Sequence, residues 1–250
     1  MEYKLKIKIN EKHWGEFMAN IKNYLNIAKE EIKLAFVNNK KLLLISIILF
    51  VVPVLVGYYF PNEISEYVKP IMDSFEKSIE DGSITLSTHS IFINNLTVAI
   101  MLYALAALGG LLGAVILANN GLFIGYFGAN FNIWAYLALT LPHGIFEIPA
   151  IIIATTGGFT LLSFILHFLW NVFSPDYSYL DIFDPYFRDV NVTLKERFSS
   201  SFKKHGHMLK ESFIFLCLGV ILLLIAAFIE ANLTIPIASW LFSLFGVSLQ

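Results

Sequence analysis

Cysteine is almost missing from this chain. Cys217 stands alone among 250 residues, which excludes an internal disulfide and any cysteine-rich metal knuckle. Charge is scarce as well. Only 14% of residues are Asp, Glu, Lys or Arg, against about 25% in a soluble domain, and the formal net charge is -2. A soluble enzyme and a basic nucleic-acid binder both fit that composition poorly. No P-loop, GxSxG elbow, GxGxxG turn or CxxC pair occurs, so the common phosphate-cradling, acyl-transfer and dithiol devices are absent from the sequence. What the chain has in excess is apolar. Hydrophobic residues make up 57%, with 23 phenylalanines, more than one soluble core would hide, and the composition reads as a polytopic membrane protein.

The few charges are unevenly placed. Residues 1–41 hold nine lysines and five acids, residues 61–90 two lysines and six acids, and residues 174–211 six Lys/Arg and six acids. Two acids fall outside these blocks, Glu147 and Glu230, each inside an otherwise uncharged apolar stretch. The run Leu42–Phe60 is long enough to cross a bilayer core of roughly 30 Å. Turn residues at Asn119-Asn120-Gly121 and Leu141-Pro142-His143-Gly144 divide 91–173 into spans at about 91–118, 121–141 and 144–173. A fifth span covers Phe213 to about Leu233, and the apolar tail 237–250 is too short to cross. Lysine and arginine counts place the N-terminus and the 174–211 loop in the cytoplasm of a cell-membrane protein, with the acidic 61–90 loop outside.

Trp14, Met18, Ile21, Leu25, Ala28, Ile32 and Ala35 alternate at steps of four and three, with Lys12, Glu16, Lys22, Lys29 and Lys33 off that stripe. This predicts an amphipathic helix suited to an anionic leaflet, or one packed beneath the bundle, with coiled-coil pairing as the rival. Ahead of it, Tyr3 to Ile9 alternates with period two, which permits a short strand. Within the spans, small residues recur every fourth position at Ala106, Gly110, Ala114 and Ala118, at Gly121, Gly125 and Ala129, and at Ala150, Ala154 and Gly158. Such stripes let helices approach closely, within one chain or between two copies.

Intramembrane acids are costly and face protein or trapped water. Glu147 lies five residues past Pro142 and Glu230 six residues short of Pro236, so both sit roughly 7–9 Å inside the same membrane face. His143 precedes Glu147 by one helical turn, on the same helix face. Asn94 and Asn95 open the second span at that level, and Asn232 lies at the rim. Pro149 cannot donate to the carbonyl of Ile145, which leaves an acceptor beside Glu147.

Three chemistries suit this cluster. His143, Glu147 and Glu230 provide the ligand types of a zinc-like divalent metal site with an open position, although HxxxE lacks the second histidine of HExxH. A glutamate pair can instead share a proton for transport or acid–base work. Alternatively, hydrogen-bonded glutamates tie together helix ends that proline has interrupted. His167 reads as a packed histidine, and His205 and His207 as solvated or headgroup-facing. Leu194, Phe198 and Phe202 predict an amphipathic helix along the membrane.

These residues resemble the stage II sporulation protein M family of multi-pass membrane proteins. The carrying segments are Phe92 to Asn95, Asn120 to Gly125, Leu141-Pro142-His143-Gly144-Ile145-Phe146-Glu147-Ile148-Pro149-Ala150 with the stretch on to Gly157, and Ala226 to Thr234. Ile235 intervenes before Pro236 where the family runs Thr-Pro directly. The resemblance spans roughly residues 40–240, and Asn94, Asn95, His143, Glu147 and Glu230 coincide with its motif positions. It implies a membrane anchor that works in a complex with peptidoglycan-remodelling enzymes in spore formers.

The expected protein is therefore an all-α integral membrane protein of about five transmembrane helices with an N-terminal amphipathic helix. Residues 1–41 form a cytoplasmic basic segment and 42–250 the bundle. The expected function is a membrane scaffold or assembly partner. The alternative is a transporter or intramembrane metal-dependent hydrolase using His143, Glu147 and Glu230. Its partners are the lipid bilayer and a membrane protein complex or a second copy, with no nucleic acid.

Overall fold

The computed structural model describes residues 2–80, 87–173 and 193–245, with side chains from Phe17 onward except most of 71–80 and the last two residues of that range. Every regular element among the described residues is helical. The chain divides into two compact units, Met1–Lys40 and Lys41–Gln250.

The first unit is one helix, α1 (Glu2–Asn38), which takes in the stretch whose alternation permitted a strand. Asn39 closes it by donating from Nδ2 to the carbonyl of Ala35 at 2.9 Å. The predicted stripe is uneven in its covering: Met18 and Leu25 are exposed, whereas Ala35 is buried.

The second unit holds α2 (Lys40–Tyr59), α3 (Pro61–Glu80), α4 (Thr88–Gly109), α5 (Leu111–Asn130), α6 (Ile133–Phe173), α7 (Leu194–Asn232) and α8 (Thr234–Phe245). Five of them, α2, α4, α5, α6 and α7, are long and apolar enough to cross a membrane. The count agrees with the hydropathy reading, but the boundaries do not. The second and third spans divide at Gly110 rather than at Asn119-Asn120-Gly121. Gly110 takes φ +47°, which only glycine adopts without strain, and as a single residue it reverses the chain between α4 and α5. Asn120 stays helical by returning its Nδ2 to the carbonyl of Ile116 at 2.9 Å. Gly121 and Gly125 are helical because the backbone of α2 lies against them: a Cβ at either would meet the carbonyl oxygen of Phe50 or Val54. The predicted stripe Ala106–Ala118 is consequently split between two helices.

The third and fourth spans divide at Phe131-Asn132, not at Pro142. The Asn132 side chain caps α6 by accepting from the backbone of Trp134 and Ala135 at 3.0 and 3.2 Å. Pro142 and Pro149 then lie inside a 41-residue helix. Neighbouring helices in a bundle replace what a proline removes, so a proline that would end a water-exposed helix is tolerated here. The stretch 61–90, expected as a loop, also contains a helix, α3, and the amphipathic stretch from Leu194 runs without a break into the last span. Thr193 and Glu196 start that helix as a reciprocal capping box.

Helices α6 and α7 form the axis of the bundle and run antiparallel. His143 lies beside Thr234 at one end, Ser212 donates to the Gly157 carbonyl at 2.7 Å midway, and Ser201 donates to the Phe168 carbonyl at 3.2 Å near the other end. Tyr103 of α4 joins the middle contact through Ser212 at 2.8 Å, and Thr156 of α6 donates to Ser46 of α2 at 3.0 Å. Phe50, Leu102, Leu117, Ile151 and Ile152 fill the space among α2, α4, α5 and α6. Close backbone packing and short hydroxyl links are what bind helices where lipid is as apolar as leucine.

Candidate functional site

At the His143 end, α6 and α7 bring three ligand-bearing side chains together. One ligand atom each from His143, Glu147 and Glu230 lies within 4.8 Å of the other two. His143 Nε2 is 3.9 Å from Glu147 Oε2, as the one-turn spacing on α6 requires. All three residues are half-buried rather than enclosed.

The other nitrogen of His143 faces Thr234, the first residue of α8, with Nδ1 and Oγ1 3.4 Å apart. Thr234 is buried, and its hydroxyl donates to the carbonyl of Ile229 at 3.3 Å. Which of the two atoms donates depends on the tautomer of His143: with the hydroxyl hydrogen on Ile229, Nδ1–H donates to Thr234 and the neutral ring carries its lone pair on Nε2, on the Glu147 side. Thr234 was not legible as a site residue. It sits past the last apolar run, and the one signal pointing to it is that a half-buried imidazole needs a second-nitrogen partner.

The remaining candidates separate. Asn232 donates to Thr88 Oγ1 at 3.2 Å and to the Phe228 carbonyl at 2.8 Å, which fastens the end of α7 to the start of α4. Asn94 is exposed and Asn95 half-buried on α4, and neither bonds to the three ligand-bearing side chains among the described residues. Beside the cluster, an apolar cavity of about 750 Å³ lies between the first turns of α6 and α8, with Trp134, Leu137, Leu141, Pro142, Ile237 and Leu241 in its wall.

At the opposite end of the pair, His205 is buried and accepts from Asn171 Nδ2 at Nε2 across 2.6 Å, so it is not the solvated residue its lysine neighbours suggested. His167, expected to be packed, is exposed; it donates from Nδ1 to the Ser163 carbonyl at 2.7 Å and lies ring to ring with His205, centroids 5.3 Å apart.

The family model described as stage II sporulation protein M matches residues 46–235, a stretch that contains the whole cluster. The chain belongs to that family. An uncharacterized protein of Methanocaldococcus jannaschii is 28% identical in an alignment 223 positions long that covers 86% of this chain and 91% of the relative. No solved structure matches the chain. Membership of the stage II sporulation protein M family, together with five membrane-length apolar helices, makes this a multi-pass membrane protein.

Proposed function

We propose that this family member is a membrane scaffold: a bundle fixed in the cell membrane that holds a protein partner through its N-terminal helix, with the N-terminus cytoplasmic. The observation that carries the reading is the surface of α1. Met18 and Leu25 are exposed along the stripe, and Ile27, Leu34 and Val37 are exposed on the opposite side of the helix. A helix lying flat on headgroups keeps its apolar residues to one face. Apolar side chains on two faces suit a helix received by other protein. The bundle suits the anchoring half of the role, since its helices are held backbone to backbone at Gly121 and Gly125.

The test is the size of the native assembly. In gently solubilised native membranes the chain should migrate well above its own 28.3 kDa. Met18→Asp with Leu25→Asp should return it to a single-chain species while the helical signal stays unchanged. A wild-type chain that migrates alone would remove the scaffold reading. The second reading, a transporter or metal-dependent hydrolase, is favoured by one observation, the convergence of His143, Glu147 and Glu230.

A further inference from the structure

We propose that His143, Glu147 and Glu230 bind a divalent transition-metal ion, with zinc as the representative, and that Thr234 sets the histidine for it. The inference goes beyond the scaffold reading and does not depend on it.

The Thr234 hydroxyl spends its hydrogen on Ile229, so His143 gives up Nδ1–H and presents a lone pair at Nε2. That lone pair faces Glu147, and a Glu230 oxygen completes the group within 4.8 Å. Three acceptors thus converge on one point. Neither carboxylate receives a hydrogen bond from a described residue, and His143 Nε2 has no hydrogen to offer. Such a set repels itself unless a cation occupies its centre.

Two ionised glutamates beside a neutral imidazole carry a charge of -2, which two protons or one divalent ion neutralise equally, so charge alone does not choose between them. The ligand set and its spacing favour the metal. Zinc holds nitrogen and oxygen ligands at about 2.0–2.2 Å, which sets tetrahedral neighbours about 3.4 Å apart. The 3.9 Å pair needs only a small side-chain adjustment to reach that spacing. The link from Nδ1–H to Thr234 is the outer support that metal-bound histidines carry, fixing the tautomer and the ring plane. All three ligand-bearing residues are half-buried rather than enclosed, so the group can be reached from outside. Three protein ligands leave a fourth position for water or a bound group. Because His143 and Glu147 come from α6 and Glu230 from α7, the ion also clasps the two axial helices.

The experiment uses the full-length protein in detergent, stripped with a chelator and titrated with zinc against a chromophoric competitor. The expected result is one zinc per chain, with affinity falling at least a hundredfold in Glu147→Gln and in Glu230→Gln, both isosteric and checked for unchanged helicity and a single elution peak. His167→Ala, at the far end of α6, should keep one zinc. Cobalt in place of zinc should give visible d–d bands that vanish in Glu230→Gln. If the stripped wild-type chain takes up no more zinc than the Glu147→Gln, Glu230→Gln double variant, no metal site exists here. If both single variants retain wild-type affinity, zinc sits elsewhere and the proposal fails.

Discussion

At one end of the α6–α7 pair, Asn171 donates to His205 and His167 donates to Ser163, so each contact matches a hydrogen with a lone pair. At the other end, in the tautomer proposed above, His143 donates to Thr234 and leaves a lone pair in a group with two carboxylates. The same two helices carry histidines at both ends, and the acids make the difference. An amide or a carbonyl complements a neutral imidazole within the protein, whereas a pair of glutamates leaves a surplus of acceptors that calls for something from outside. A histidine in an apolar bundle is thus no indication of chemistry until its hydrogens have been assigned.

The contrast can be tested by asking which end responds to metal. The largest effect is expected for Glu230→Gln, and its sign should depend on zinc. In chelator the variant should melt above wild type, because one unneutralised carboxylate is gone. In zinc the order should reverse, since a ligand at a hundred times its dissociation constant stabilises wild type by about 2.7 kcal/mol. Melting curves that keep one order in both conditions would show that the two ends do not differ in kind. An intermediate effect is expected for Thr234→Val, which keeps the shape of the side chain and removes its oxygen. Zinc affinity, read in the competition titration, should fall about 10–100-fold, the usual cost of losing a partner of a metal-bound histidine. Full affinity in that variant would mean that Thr234 does not hold the ring. The smallest effect belongs to the far end. Asn171→Ala should lower stability by about 1 kcal/mol, the net value of one hydrogen bond, and by the same amount with and without zinc.

Much of this arrangement could be read from residue order alone. Five apolar runs gave the number of membrane-length helices, and Glu147 and Glu230 drew attention because each is the single acid in its run. Their equal depth comes from taking Pro142 and Pro236 as the membrane limits with a rise of about 1.5 Å per residue; the two side chains do meet, although Pro142 lies inside α6 and sets no limit there. The limits of the helices were less legible, for a physical reason. Asn120 and Pro142 are turn residues in water, yet Asn120 can bond to its own helix and Pro142 can be supported by neighbours, so neither ends a helix here. Gly110 does, because a one-residue reversal demands its positive φ, and nothing in its local sequence distinguishes it from Gly109. Thr234 was hidden in the same way. Its importance lies in two hydrogen bonds that no spacing rule foresees.

A reversal of one residue also bears on how the protein is made. Gly110 leaves no water-soluble connector between α4 and α5 that could wait on one side of the bilayer while a single helix crosses. Entry of the two helices as one hairpin is the route that such a connector favours. A connector lengthened by inserted polar residues at this point should let α4 and α5 integrate independently, which a glycosylation-site mapping of the two variants would read.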